Sequence, residues 1–485
     1  MFAAVAVAWV IPLNISWGAA GEQIARFTAW DAQAGDGFGS SIAVGQQVAL
    51  IGAPTIGQTP STGSVYVYDV VTEGLQFTLT ASDSTVADRF GSAIAVNNHT
   101  ALIGAEFGGS DISALAGAAY LFDLDTRTEL IKLTASDSEA LDRFGTAVAI
   151  RGTTALIGAW ADNTPAGVDT GSAYLFDTTT GAELTKLKAS DAASHAHFGA
   201  SVALTGNTAV IGAPYDSQLG NESGAVYLFD VATGAQSIKL LADDAGPGDH
   251  FGRSVASTDD LVVIGSPSSG GLSGPGAAYV FDMITGEQRF KLTASDTTVG
   301  DHFGMSVAIE NNIAVIGATL GAADESSLAG AAYVFDLTTG EQVAKLNASD
   351  TQAIDYFGGA VTIMNNTAAI GASGNNTTDG VDAGAAYLFD LSQPIIGDLD
   401  GDGFVGINDL NLIFANWNQI VPPADPLTDP SGDGFVGIDD LTIILSNWNL
   451  GTPPIVPTSI PEPGATSSLS LLILILTRRR YCQNI

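Results

Sequence analysis

Short apolar runs separated by turn-forming residues recur along most of the chain, from residue 21 to residue 393. One unit reads FGTAVAI (144–150), TALIGA (154–159), SAYLFD (172–177) and ELTKL (183–187), with Gly- and Thr-rich turns between the runs. The runs are rich in Val, Ile, Ala, Tyr and Phe, which is typical of β-strands joined by tight turns. The pattern predicts an all-β region with four short strands in each unit.

Phe-Gly pairs mark the period of this pattern. They lie at positions 38, 90, 144, 198, 251, 303 and 357, so successive pairs are 52, 54, 54, 53, 52 and 54 residues apart. Seven copies at a near-constant spacing indicate a repeat architecture. Units of four strands that bury their faces against their neighbours favour a closed seven-bladed β-propeller over an open stack, which needs capping units at its ends.

The fourth strand of the last unit is missing from its expected place. The seventh unit ends at YLFDLS (387–392), and different sequence follows. At the front of the repeats, GEQIARFTAWD (21–31) nearly matches GEQVAKLNASD (340–350), which contains a predicted fourth strand. We therefore predict that the N-terminal strand completes the seventh blade and closes the ring through main-chain hydrogen bonds.

Two polar features recur beside the Phe-Gly pairs. Asp stands two residues before Phe in six units, and Ala196 replaces it in the fourth; the six are Asp36, Asp88, Asp142, Asp249, Asp301 and Asp355. We expect these carboxylates to accept backbone N–H groups in a turn, while Phe packs between blades and Gly permits a close approach. His197, His250 and His302 share one position in three units. We expect them to be turn residues and not a metal cluster, because equivalent positions on separate blades should be far apart.

The FG and IGAP segments of these units resemble FG-GAP repeats, which form the seven-bladed propeller of integrin α-chain heads. The resemblance covers residues 21–393 and implies the fold but not the ligand, because propellers serve adhesion, scaffolding and catalysis alike. Integrin-type blades hold calcium in DxDxDG loops. The nearest segments here, DNTPAGVD (162–169) and NNTTDGVD (375–382), lack that alternating spacing. The sequence contains no GxSxG, HExxH or P-loop motif.

Charge restricts the class of partner. The sequence has 52 Asp and Glu against 16 Lys and Arg, which gives a formal net charge of −36. Such a charge repels phosphate backbones and anionic lipid, so it argues against nucleic acid as a partner and favours solubility or cation binding. The only cysteine, Cys482, lies beyond the repeats, so we expect no disulfide inside the propeller.

Two related segments follow the repeats, DLDGDGFVGINDL (398–410) and DPSGDGFVGIDDL (429–441). Each offers oxygen ligands at positions 1, 3, 5, 7 and 12 of a loop and a glycine at position 6, which is the pattern of an EF-hand-like calcium loop. The predicted ligands are Asp398, Asp400, Asp402, Phe404 and Asp409 in loop one, and Asp429, Ser431, Asp433, Phe435 and Asp440 in loop two. Phe404 and Phe435 would bind through their carbonyl oxygens. The sequence therefore predicts two calcium ions.

A helical stretch is predicted after each loop, NLIFANWN and TIILSNWN, with Trp417 and Trp448 at the same offset. The pair of loops and helices resembles the type I dockerin, a small calcium-dependent module, which we assign to residues 394–450. Dockerins contact cohesin through a hydroxyl pair at loop positions 10 and 11, where this chain has Ile407-Asn408 and Ile438-Asp439. The resemblance implies calcium binding but does not extend to a cohesin-binding surface.

Both ends of the chain carry predicted targeting segments. Residues 1–20 are apolar and end in small residues, which is typical of a secretory signal, with a buried first strand or a wrongly assigned start as the alternatives. Residues 451–485 contain a Pro-rich linker, a Pro-Glu-Pro triplet, an apolar stretch and three arginines, and they resemble a PEP-CTERM sorting tail. That resemblance implies sorting machinery of the exosortase type. We expect an exported protein, at the cell surface or extracellular, with transient membrane association at most.

Together these features predict a non-catalytic binding or adhesion protein of the cell surface or extracellular matrix, with a calcium-stabilised C-terminal module. The expected partner is an extracellular protein or a polysaccharide. The alternative is a polysaccharide-acting hydrolase or a cellulosome-type component, because dockerin-like modules usually accompany such enzymes. A glycosidase needs one asymmetric pair of carboxylates, whereas the carboxylates here recur by blade, so a binding role is favoured.

Overall fold

The apolar runs of the sequence form strands in the computed structural model, which describes residues 21–45, 47–54, 62–108, 115–269, 274–321, 329–350, 352–376, 381–392, 399, 405–421, 428–431 and 435–448. The chain divides into two units, and the boundary follows Ser392. The first unit contains seven four-stranded antiparallel sheets, which are the blades of a propeller. The predicted fold class, all-β with a seven-bladed propeller, is confirmed.

The blades take their strands in chain order, except that the seventh borrows β1. Blades 1 to 3 contain β2 (Ser41–Val44), β3 (Val48–Ala53), β4 (Ser64–Asp69) and β5 (Leu75–Leu79); β6 (Phe90–Asn97), β7 (Thr100–Ala105), β8 (Ala118–Asp123) and β9 (Thr128–Leu133); and β10 (Phe144–Arg151), β11 (Thr154–Ala159), β12 (Ser172–Asp177) and β13 (Glu183–Leu187), respectively. Blades 4 to 6 contain β14 (Ser201–Thr205), β15 (Thr208–Ala213), β16 (Ala225–Asp230) and β17 (Gln236–Leu240); β18 (Ser254–Ser257), β19 (Leu261–Ser266), β20 (Ala277–Asp282) and β21 (Gln288–Leu292); and β22 (Phe303–Glu310), β23 (Ile313–Ala318), β24 (Ala331–Asp336) and β25 (Glu341–Leu346), respectively. Blade 7 contains β26 (Phe357–Met364), β27 (Thr367–Ala372), β28 (Ala385–Asp390) and β1 (Glu22–Phe27).

The N-terminal strand closes the ring as predicted. β1 pairs antiparallel with β28, in a register that joins Glu22 to Asp390 and Phe27 to Ala386. The Phe27 side chain is buried, and its ring centroid lies 4.7 Å from that of Tyr68 in blade 1. β1 therefore supplies main-chain hydrogen bonds to the last blade and apolar contact to the first.

The Phe-Gly pairs lie where adjacent blades meet. Phe144 is fully buried, packs edge-on against Tyr174 of its own blade, and forms a parallel bridge with Gly117 of the preceding blade. A Cβ on Gly104 of the IGA segment would lie 2.0 Å from the carbonyl oxygen of Gly145 in the next blade. The two glycine positions let the blades touch through their backbones, which confirms the predicted close approach.

The six recurrent aspartates accept hydrogen bonds inside the turns that precede the first strands. Each takes the backbone N–H of the residue three positions earlier, at 2.6 to 2.8 Å; the acceptors are Asp36, Asp88, Asp142, Asp249, Asp301 and Asp355. The predicted turn role is confirmed. Their role is structural, because the same bond recurs from blade to blade.

The second unit contains two short helices, α1 (Ile407–Ala415) and α2 (Ile438–Ser446). Its small core includes the buried side chains of Val405, Ile413, Val436 and Ile444. A single antiparallel bridge joins Ile420 to Phe435. Within the part of the chain that the structure describes, no helix combines the length and hydropathy needed to cross a bilayer.

Candidate functional site

The side chains that line the central channel of the propeller are mostly aliphatic. The first strand of each blade contributes residues such as Ile94, Val148 and Val307, and the volume of the space between them is about 380 Å³. Arg253 is the charged side chain among the described residues that line it, and the described lining residues include no Asp or Glu.

A row of rings and guanidinium groups runs across blades 2 to 5, at the end of the blades that carries the turns before the first strands. We call it the ring row; its members are Arg89, Phe107, Arg143, Trp160, His197, Tyr215 and His250. All seven side chains are half-buried. They therefore present faces and edges to solvent along a continuous line.

Successive members of the ring row are in contact. The Arg143 guanidinium carbon lies 3.8 Å from the centroid of Phe107 and 5.7 Å from that of Trp160. Trp160 and His197 follow at 4.4 Å between ring centroids, and His197 and Tyr215 at 4.5 Å. Both the guanidinium contacts and the ring pairs lie in the range of favourable π interactions.

The fold alternates two kinds of position to build this row. Arg143 and His197 stand immediately before the Phe of a Phe-Gly pair, in left-handed backbone with φ of 62° and 55°. Trp160 and Tyr215 stand just after the IGA segments, at the ends of β11 and β15. Because each blade packs beside the next, a residue that precedes a Phe-Gly pair lies between two residues that follow IGA segments.

Burial shifts the pKa values of two residues in the ring row, Arg143 and His197. It lowers the pKa of Arg143 below its ordinary value, and the Glu106 carboxylate, 3.9 Å away, opposes this shift. Burial also lowers the pKa of His197, against the influence of the Asp169 carboxylate. His197 is therefore neutral at pH 7, whereas Arg143 stays charged.

The structure corrects one expectation about the histidines. His197 and His250 belong to different blades, yet both rings contact that of Tyr215, with centroids 4.5 and 4.8 Å from its centroid. Equivalent positions on these adjacent blades are thus closer than predicted, because the Tyr215 ring contacts both histidines. The predicted turn position is confirmed, because His197, His250 and His302 all have φ between 55° and 58°.

Sequence reasoning missed the aromatic members Phe107, Trp160 and Tyr215. The sequence contained one signal, which was the position of each aromatic residue within two residues after an IGA or equivalent segment. At that position the fifth and seventh units have only proline or small residues, Pro267-Ser268 and Ser373-Gly374. That signal becomes informative only once these positions are known to be adjacent across blades.

Half of the predicted calcium ligands can be located. Asp398, Asp400, Asp402, Phe404 and Asp433 lie outside the described residues; Asp409, Asp429, Ser431, Phe435 and Asp440 lie within them. In loop two, Ser431 donates from Oγ to Asp429 at 3.1 Å and from its N–H to Asp440 at 3.0 Å, so three predicted ligands come together. Asp409 and Asp440 are buried, and each accepts a 2.6 Å hydrogen bond, from the N–H of Gly406 and Gly437 respectively.

Comparison with known families agrees with this architecture. The FG-GAP repeat model matches residues 22–68, 74–122, 128–176, 182–229, 235–281, 287–335 and 341–389, which together make up more than half of the chain. The chain belongs to the FG-GAP repeat family. A comparison with curated proteins finds no match. Each FG-GAP match begins with the fourth strand of one blade and ends with the third strand of the next, so the FG-GAP unit is offset from the blade by one strand.

In the two FG-GAP loops nearest to a calcium motif, polar side chains contact other protein groups. In the loop of residues 162–169, Asp162 is buried, accepts a hydrogen bond from Ser172 and pairs with Lys186 at 2.6 Å. In the loop of residues 375–382, Asn375 bonds Asp355 and Arg26, and residues 377–380 lie outside the described part. Asp162 and Asn375 are thus engaged by protein groups.

Proposed function

We propose that this FG-GAP protein is an exported, non-catalytic binding protein of the cell surface or extracellular matrix, and that the ring row is its ligand-contact surface. The observation that carries the proposal is the unbroken line of half-buried Arg, Trp, His and Tyr side chains across four blades. Trp, Tyr and Arg are enriched among the residues that dominate binding energy at protein interfaces, and Trp and Tyr bury a large area for little loss of conformational freedom.

The geometry of the row supports an extended ligand. Its members span four consecutive blades, and each ring is held by its neighbours, so little side-chain entropy is lost on binding. Planar faces suit the apolar side of a sugar ring or an aromatic side chain, and the guanidinium groups suit carboxylates. The ligand class is therefore an extracellular protein or a polysaccharide.

We also propose that the C-terminal module binds two calcium ions and resembles a dockerin. Asp429, Ser431 and Asp440 converge through the hydrogen bonds given above, which fits a hard cation that prefers oxygen ligands. With the ion bound, its charge would offset the repulsion between the loop carboxylates. Residues 398–410 would form the first site by the same spacing. The described helices follow both loops at the same offset.

Export is part of the same proposal. The apolar leader of residues 1–20 and the Pro-Glu-Pro, apolar and tri-arginine tail of residues 451–485 support secretion followed by removal of the tail, and with it of Cys482. Intact-mass measurement on protein recovered from its native host tests this. A secreted form that retains its C-terminus would contradict it.

The binding proposal is tested with the purified full-length chain on panels of immobilised polysaccharides and extracellular proteins. Trp160→Ala and Tyr215→Ala should each weaken binding by at least about tenfold, because each removes a central contact of the row. Trp30→Ala removes an indole that is 74% exposed and outside the row, so it serves as the control. If all three variants bind alike, the row is not the ligand surface. Turnover of a polysaccharide by the wild-type chain would favour the hydrolase alternative.

A further inference from the structure

One junction between blades brings two histidines and a carboxylate together. Where blade 3 meets blade 4, the ligand-forming atoms of Asp169, His195 and His197 all lie within 4.8 Å of one another. A carboxylate oxygen of Asp169 is 3.2 Å from Nδ1 of His195. We propose that these three side chains form a binding site for a divalent transition-metal ion of the zinc class.

Backbone pairing sets the spacing of the three residues. The N–H of His195 donates to the carbonyl oxygen of Val168 at 2.8 Å, and the N–H of His197 donates to that of Asp169 at 3.3 Å. The N–H of Asp169 is itself held by the side-chain oxygen of Asn163 at 2.9 Å. These bonds hold the backbone that carries the three side chains, whose ligand atoms converge to within 4.8 Å of one another.

The donor set matches the chemistry of zinc-class ions and not that of calcium. Two imidazoles and one carboxylate suit Zn²⁺, Cu²⁺ or Ni²⁺, whereas calcium takes oxygen ligands. With metal–ligand bonds of 2.0 to 2.1 Å, ligand atoms around a tetrahedral ion lie about 3.3 Å apart. Asp169 and His195 already meet that distance, and the donor atom of His197 lies within 4.8 Å of both. Water would occupy the remaining coordination position.

The environment of His197 favours ligation. Its ring lies between Trp160 and Tyr215, with centroids at 4.4 and 4.5 Å, so its orientation is restrained before a metal arrives. The net charge of −36 raises the local concentration of cations around the whole protein.

Other junctions show that the cluster is not a by-product of the fold. The N–H of the Phe in each Phe-Gly pair donates to a carbonyl oxygen of the preceding blade, and counting back from this bond identifies the three equivalent positions at each junction. Among the junctions for which the structure describes all three, blades 4 and 5 have Glu222, Gly248 and His250; blades 5 and 6 have Gly274, Gly300 and His302; blades 2 and 3 have Leu115, Leu141 and Arg143; and blades 7 and 1 have Asp382, Gly35 and Gly37. None of these four junctions has a metal-binding side chain at all three positions, whereas the junction of blades 3 and 4 does.

The test is isothermal titration of Zn²⁺ into the full-length chain, stripped of metal and then held in excess Ca²⁺ to fill the proposed calcium loops. The wild type should bind one Zn²⁺ more tightly than any other. His195→Gly should weaken that site by at least about 10- to 100-fold, the loss that even an outer-shell partner causes. Glycine is tolerated there, because His195 has φ of 62° and Gly248 and Gly300 hold the same position in the next two junctions.

The matched control is His302→Arg, which removes a histidine from the position equivalent to His197 and inserts the residue found there as Arg89 and Arg143. It should leave zinc binding unchanged. Zinc K-edge spectroscopy should detect two imidazole ligands in the wild type and one in His195→Gly. Equal zinc affinity of wild type and His195→Gly, or loss of the site in His302→Arg, would overturn the proposal. Neither readout uses the macromolecular ligand, so the outcome is independent of the ring-row test.

Discussion

Nε of Arg26 lies 2.9 Å from a carboxylate oxygen of Asp350, and this contact joins the front of the repeat region to its far end. Five other blades make the same contact with a lysine of their own fourth strand, at 2.5 to 2.7 Å; the pairs are Lys132–Asp83, Lys186–Asp137, Lys239–Asp191, Lys291–Asp244 and Lys345–Asp296. In each blade the aspartate also accepts a hydrogen bond from the buried tyrosine of the third strand, which is Tyr387 in blade 7. β1 therefore reproduces the side-chain contacts of a fourth strand as well as its main-chain pairing.

Removal of residues 21–31 should lower the thermal stability of the protein and promote aggregation. The deletion leaves β28 with an unpaired edge and uncovers the side chains that Phe27 buries. Calorimetry and light scattering on the truncated and full-length chains check this. A truncated chain that melts at the wild-type temperature and stays monomeric would show that β1 does not stabilise the ring.

Arg26→Ala should lower the free energy of unfolding by about 1 kcal/mol, because the Arg26–Asp350 pair is partly exposed and such pairs are weak. Arg26→Lys should restore most of the loss, since lysine makes this contact in five other blades. Urea denaturation of the three proteins measures the difference. If lysine is as destabilising as alanine, the contacts of Arg26 with Asn375 and Tyr387 matter more than its charge.

Gly104→Ala should destabilise the propeller by about 3 kcal/mol or more, because the new Cβ would lie 2.0 Å from the carbonyl oxygen of Gly145 in the next blade. Gly74→Ala is the control: Gly74 is exposed, and its nearest neighbour for a Cβ is Thr72 Oγ1 at 3.5 Å. The melting temperatures of both variants check the prediction. Equal melting temperatures would mean that adjacent blades can move apart without cost.

Asp142→Asn should stabilise the protein at pH 7. Burial, with the nearby carboxylates of Asp162 and Glu139, raises the pKa of Asp142 to about 6, and its Oδ1 has no hydrogen-bond partner among the described residues. Between about pH 4 and 6 the folded state therefore binds more protons than the unfolded state, so this group lowers stability as pH rises through that window.

Replacing the carboxylate removes this cost, on the order of 2 kcal/mol at pH 7. Urea denaturation between pH 4 and pH 7 should give a flatter stability profile for Asp142→Asn than for the wild type. Asp249→Asn makes the same change at the same position in blade 5 and controls for the altered turn. Identical pH profiles for wild type and Asp142→Asn would refute the account.

Calcium titration of the full-length chain should show two sites of different affinity. Loop one offers four carboxylates (Asp398, Asp400, Asp402 and Asp409) and loop two only three, with Ser431 as a neutral ligand. Ser431→Asp should strengthen the weaker site by about tenfold, because charge count tunes calcium affinity. Thr442→Asp adds the same charge on the exposed surface of α2 and should have little effect. If Ser431→Asp leaves both affinities unchanged, position 3 of loop two is not a ligand.

Much of the propeller could be predicted because its determinants are local and repeated. The spacing of the Phe-Gly pairs determined the number of blades, since each unit buries its faces only against its neighbours. The displaced segment GEQIARF determined how the ring closes, because a missing fourth strand and an extra one have only one way to pair. The loop spacing after residue 398 similarly predicted the two helices that the structure contains, although it leaves the calcium sites to experiment.

The candidate sites depend on contacts between blades, which no local pattern contains. Trp160, His197 and Tyr215 lie in separate stretches of sequence and meet only because each blade lies beside the next. Asp169 and His195 come together because the strand end before β12 and the turn before β14 share backbone hydrogen bonds. Repetition in the sequence determined the frame. Which irregular side chains meet within it was decided by the tertiary structure, because packing of one blade against the next brings together residues that lie far apart in the sequence, such as Asp169 and His195 or Trp160 and His197.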